Sequence, residues 1–182
     1  RSPSLMTWVT NAPVPGINGF KFANDEQGNI IIAWTDIEGH WARIYERAND
    51  NWTDPELVQP ASTQEYIWPP AIAAGRAMFA AGNSVHIYEP GVGWIASATL
   101  QITGATAGIY VAIDSSGNGL AIWNGELAFR RYVAGSGWTP VSDLDATADA
   151  NQMLLASAPD GTAMLVTSDT AANSSTLTVR FE

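Results

Sequence analysis

Arg43, His86 and Arg130 each lie two residues before a tyrosine, Tyr45, Tyr88 and Tyr132. Cationic and imidazole side chains set at one radius would make a polar rim for an anionic or hydroxyl-rich ligand. Equally, such residues alternating along strands form the ordinary polar face of a sheet. A second group is aromatic: Trp34, Trp41, Trp123 and the run Tyr66-Ile67-Trp68-Pro69-Pro70. The two prolines stiffen the chain beside Trp68. They would hold its ring outward, as a platform for a sugar or a partner protein, or fold it down as a lid over the molecule.

Other chemistry is sparse. Asp25 and Asp114 would suit a metal or a sugar hydroxyl, but an Asp placed before a glycine more often bonds the N–H groups of its own turn. Two carboxylates so far apart do not make a calcium loop. His40 and His86 are the only histidines and there is no cysteine, so neither a zinc site nor a disulfide is expected. No serine stands in Gly-X-Ser-X-Gly, and no glycine-rich phosphate loop is present. Glu65, Glu89 and Glu126 show no pairing of the kind glycoside hydrolysis needs. No catalytic residue, metal or cofactor is therefore expected.

The 182 residues carry a net charge of −10, with 46% hydrophobic and 14% charged residues. That suits one domain with one continuous core. A net anion repels nucleic-acid phosphates and acidic lipid, and Arg130-Arg131 is the only adjacent basic pair. No apolar run approaches the roughly 18 residues of a membrane helix. These features leave a glycan or a protein as the expected partner, exclude nucleic acid and membrane insertion, and allow a monomer or a dimer.

The elements that position these residues come from a repeat. Tyr45-Glu46 leads to Trp52, Tyr88-Glu89 to Trp94 and Tyr132 to Trp138, each across a short polar or glycine-rich turn. Trp8, Trp52, Trp94 and Trp138 recur at intervals of 44, 42 and 44 residues. An aliphatic residue follows each Trp after five or six positions: Val14, Leu57, Leu100, Leu144. Upstream, Asp25-Glu26-Gln27-Gly28-Asn29 precedes Ile30–Trp34, and Asp114-Ser115-Ser116-Gly117-Asn118 precedes Gly119–Trp123. Asp160-Gly161 and Gly75 are reduced forms of this turn. Each unit reads as four strands; in the third they are expected at Gly108–Ile113, Gly119–Trp123, Leu127–Val133 and Trp138–Leu144. A tryptophan repeated in every unit is expected to pack between neighbours.

The expected fold is all-β: a small β-propeller of four blades, each of four antiparallel strands. The blades are expected at about 17–58, 64–102, 107–144 and 149–182 with 4–14, so that the N-terminal strand beside Phe181-Glu182 closes the ring. The Asp-X-X-Gly-Asn…Trp units resemble the repeats of exported bacterial β-propeller proteins and are distantly similar to the Asp-box repeats of sialidase-like propellers. This resemblance implies a secreted, periplasmic or cell-surface location. The expected function is a non-enzymatic binding module recognising a glycan or protein through loops on one face. Candidate contact residues are Trp68, Tyr66, Trp41, Arg43, His86, Arg130, Trp34 and Trp123. The alternatives are a sialidase-like hydrolase or lyase, which needs Arg and acidic residues at the ring centre, and a structural propeller, alone or built with a second chain.

Overall fold

Two of the hairpins turn on a carboxylate. Asp25 Oδ1 accepts the N–H groups of Gln27 (3.0 Å) and Asn29 (2.9 Å), and Asp114 Oδ1 accepts those of Ser116 (2.8 Å) and Asn118 (2.9 Å). The asparagine amide donates to the other carboxylate oxygen, at 2.8 Å from Asn29 and 3.0 Å from Asn118. Its carbonyl then accepts the N–H of Arg47 (2.9 Å) or Ala134 (3.1 Å) at the end of the third strand. One five-residue motif thus closes the first hairpin through charge-assisted hydrogen bonds to the aspartate and ties it to the strand beyond through the asparagine carbonyl. The second unit needs no such Asp: Ala74 (φ 50°) and Gly75 (φ 78°) make a two-residue turn in the left-handed region.

The computed structural model describes residues 19–61, 66–100, 108–124, 127–144, 152–158, 160–168 and 175–180. These form four antiparallel sheets. The first contains β1 (Gly19–Asn24), β2 (Ile30–Thr35), β3 (Gly39–Glu46), β4 (Asn51–Trp52) and β5 (Glu56–Pro60). The second contains β6 (Ala71–Ala73), β7 (Arg76–Ala81), β8 (Ser84–Glu89) and β9 (Gly93–Thr99). The third contains β10 (Ile109–Ile113), β11 (Gly119–Trp123), β12 (Ala128–Val133), β13 (Gly137–Trp138) and β14 (Ser142–Asp143). The last contains β15 (Gln152–Ser157), β16 (Thr162–Ser168) and β17 (Ser175–Arg180). Trp8 and the segment 4–14 expected to complete the last sheet lie outside the described residues.

The outer strand of the first and third sheets is split, where one strand was expected over Trp138–Leu144. The break falls at Thr53-Asp54-Pro55 and Thr139-Pro140, because proline has no N–H to give the ladder. Threonine repairs it: Thr139 Oγ1 accepts the Arg131 N–H (3.1 Å) and the Thr139 N–H bonds Arg131 O (2.8 Å). Thr53 does the same for Ile44.

The sheets stack in chain order, inner strand beside inner strand: β1 with β6, β6 with β10, β10 with β15. Each sheet has a leading face toward the next sheet and a trailing face toward the one before. Ile31, Ala33, Ala42 and Ile44 lead from the first sheet onto Ile72, Ala77, Phe79 and Tyr88. Met78, Ala80, Val85 and Ile87 lead from the second onto Ile109, Val111, Ala121 and Trp123. Leu120 and Ile122 lead from the third onto Met153, Ala163 and Leu165. The chain is thus all-β and propeller-like. Among the described residues no helix is long and apolar enough to cross a membrane.

The turns also tie sheet to sheet. Asp25 Oδ2 accepts the Gly75 N–H of the second sheet at 2.8 Å. Arg76 forks onto Glu89 (2.8 and 3.0 Å) and donates to Ser115 O of the third sheet at 3.2 Å.

Candidate functional site

The repeated Tyr and Trp are cross-strand partners on each trailing face: Tyr45–Trp52, Tyr88–Trp94 and Tyr132–Trp138, with ring centroids 5.4, 5.5 and 5.4 Å apart. Aromatic pairs of this kind are the unit of sheet stabilisation. Arg43, His86 and Arg130 hold one register position on these faces and lie against the same tryptophans. The Arg43 and Arg130 guanidiniums sit 4.9 and 5.8 Å from the Trp52 and Trp138 ring centroids, and the His86 ring centroid is 6.5 Å from that of Trp94.

The three side chains are not brought together. His86 Nε2 hydrogen-bonds Gln59 Oε1 at 3.0 Å and Arg130 Nη1 donates to Thr99 O at 3.3 Å. Each reaches the outer strand of the preceding sheet, β5 or β9, so each occupies its own inter-sheet cleft. Arg130 Nε also donates to Thr139 O at 2.8 Å. Arg43 has no preceding sheet among the described residues, and its buried Nε finds no hydrogen-bond partner there. Burial lowers the Arg43 pKa, opposed by the Asp54 carboxylate.

A polar network that no local motif announced lies between the first two sheets. His40 Nδ1 bonds Thr35 Oγ1 at 2.9 Å, with both residues buried. Burial, with the nearby His40, pushes the His86 imidazole down to about 4. The neutral ring is therefore the one that packs against Phe79 and Trp94. In the same cleft, burial and the Glu46 carboxylate push the Tyr88 phenol up to about 12.

The aromatic candidates fall into three settings. Trp123 is fully buried in the core between the second and third sheets. Trp34 and Trp41 pair across β2 and β3 on the trailing face of the first sheet, with near-parallel rings 6.3 Å apart. Asp36 Oδ1 accepts the Trp41 indole N–H at 3.0 Å while also capping the turn at Glu38 and Gly39. Tyr66 and Trp68 stack at 6.0 Å at the entry to the second sheet. Trp68 is half-buried against the core, whereas Tyr66 is 61% exposed. Their segment is anchored by an Ile67–Ala81 bridge and by the Gly82 N–H donating to Tyr66 O (3.2 Å).

No family model matches the sequence, and no curated protein does either. Solved structures similar to the chain include BBS1N in complex with ARL6DN, at 12% identity and a TM-score of 0.45, over 82% of this chain and 47% of that one. A fungal alcohol oxidase of the AA5 family in complex with copper matches at 15% identity and 0.42, over 90% and 41%. A protein of unknown function from Bacteroides caccae matches at 14% and 0.46, over 88% and 60%. The chain therefore spans about half the length of these structures.

Of the carboxylates that the sequence singled out, Glu65 and Glu126 lie outside the described residues, and the other three are occupied. Both oxygens of Asp25 and of Asp114 accept hydrogen bonds from their own turns, and Glu89 is forked by Arg76. Among the described residues no group of three His, Asp or Glu side chains is set to hold a metal. Among the described candidates, Tyr66 with Trp68 and Trp34 with Trp41 form aromatic pairs that are not sealed in the core.

Proposed function

We propose that the chain is a non-enzymatic binding module that takes a glycan or a protein partner on loops at one end of its sheets. The observation that carries this reading is the Tyr66–Trp68 stack: one ring is exposed and the other is braced against the core and followed by Pro69-Pro70. A rigid aromatic ring loses little entropy when a sugar face or an apolar side chain stacks on it. The turn-bound carboxylates and the cleft-bound His86 support binding rather than catalysis, since each already has its partner within the fold.

The test is a glycan array together with pull-downs against purified extracellular proteins, run with the native chain and with Tyr66→Ala. Binding that weakens about tenfold or more in the variant, the loss of roughly 1.4 kcal/mol, supports the reading. Two empty screens, or a ligand indifferent to Tyr66, would sink it.

A further inference from the structure

The middle strands of all four sheets are apolar on both faces, but only two are covered on both. In β7 and β11 every residue from Ala77 to Ala81 and from Gly119 to Trp123 is buried. In β2, Ile31, Ala33 and Thr35 are buried while Ile30, Ile32 and Trp34 are only half-buried. In β16, Ala163, Leu165 and Thr167 are buried while Met164 is 47% exposed. A strand with no polar side reads as one meant to be covered on both faces.

The two uncovered faces are of opposite kinds: the trailing face of the first sheet and the leading face of the last. Phe20 and Phe22 on the former are each 64% exposed, whereas Ile109 and Val111, at the same positions of the third sheet, are 0% and 7%. Leu154 on the latter is 71% exposed. Arg43, on the former face, is half-buried, yet its Nε finds no hydrogen-bond partner and no preceding strand among the described residues, whereas its counterpart Arg130 donates to the outer strand of the preceding sheet.

We propose that a second copy of this chain covers both faces. The trailing face of the first sheet docks on the leading face of the partner's last sheet, and the reverse, so that two chains close one ring of eight sheets. The contact repeats one the chain already makes three times within itself, leading face on trailing face. A second copy supplies both missing faces at once, with two-fold symmetry and no face left over. Among the described residues one chain does not do so: β15 does not pack on β1 in the way that β1 packs on β6 and β10 on β15. In the junction Arg43 donates to a main-chain carbonyl of the partner's last sheet.

Light scattering on the 182-residue chain tests this. The native protein is expected at twice the 19.4 kDa of one chain. Phe20→Glu/Phe22→Glu and, separately, Leu154→Glu/Met164→Glu are expected at one chain mass with an unchanged β-sheet circular dichroism spectrum. A native monomer, which would mean that the faces meet within one chain or are covered by residues 1–18, overturns the proposal. So does a dimer that survives both variants, or an assembly larger than two. Should either double variant lose its β signal, Arg43→Met decides. It keeps bulk on the same face and is expected to weaken the dimer at least tenfold; an unaltered dimer refutes the docking.

Discussion

Trp34 and Trp123 hold the same register position, opposite Phe20 and Ile109, yet Trp123 is sealed and Trp34 lies on an open face. Trp123→Ala is expected to lower the unfolding free energy by about 3–5 kcal/mol, the usual cost of emptying a core site of that size. The loss is the same at every protein concentration. Trp34→Ala acts through the contact between copies, so its effect on the melting temperature shrinks as the protein is diluted. Thermal unfolding over a hundredfold range of concentration separates the two.

Acid is expected to destabilise the chain through His86. Burial beside His40, Gln59, Phe79 and Trp94 holds its pKa at about 4 in the folded state against 6.5 when unfolded. The unfolded chain then binds the extra proton between those values. His86 thus imposes no penalty above about pH 6.5, and stability falls by up to roughly 3 kcal/mol as the pH drops to 4. Urea titrations from pH 7.5 to 4 measure this slope, and His86→Gln is expected to flatten it.

Asp25→Ala is expected to cost more than Asp114→Ala. Both lose the bonds of their own turns, but among the described residues Asp25 alone also holds the neighbouring sheet, through Gly75. The difference is about 1.5–3 kcal/mol, the worth of one hydrogen bond to a charged group. Burial pushes the Asp25 carboxyl up, but the hydrogen bonds from the Asn29 amide and from the Gly75, Asn29 and Gln27 N–H groups outweigh it and hold the pKa below 3.8. Its contribution is therefore present above that value and lost as the pH falls through the folded pKa. Chemical denaturation of the two variants at pH 7 and pH 3 reads both effects.

Gly117 has a φ of +89°, and a Cβ there would meet Arg76 Cδ at 2.8 Å and Nε at 3.0 Å. Gly117→Ala is expected to add the displacement of Arg76 from Ser115 to the roughly 1–2 kcal/mol of left-handed strain. Gly91→Ala, at φ +73° with nothing within 4 Å, bears the strain alone. A melting temperature lowered equally by the two substitutions would show that Arg76 does not tie the second sheet to the third.

The Asp-X-X-Gly-Asn turns and the Tyr–Trp pairs were legible because their partners lie close in the chain. Asp25 bonds residues two and four positions on, and Tyr45 meets Trp52 across one tight turn. The split outer strands were legible in principle too, since Pro55 and Pro140 remove a ladder donor. His86 was not: Gln59 lies 27 residues away on another sheet. The exposure of Phe20 and Phe22 was not legible either, because an apolar residue in a strand carries no mark of whether its face is covered.

The amino-acid order alone determined the period, the turn chemistry and the strand alternation, all set by contacts within a few residues or across one hairpin. The tertiary structure decided which face meets which. It buried Trp123, left Trp34 half-buried, drew His86 into a buried cleft and left the Arg43 Nε without a hydrogen-bond partner among the described residues. The physical reason is that side-chain alternation fixes two faces for every strand, while the cover on each face comes from a separate sheet, tens of residues away or on another chain.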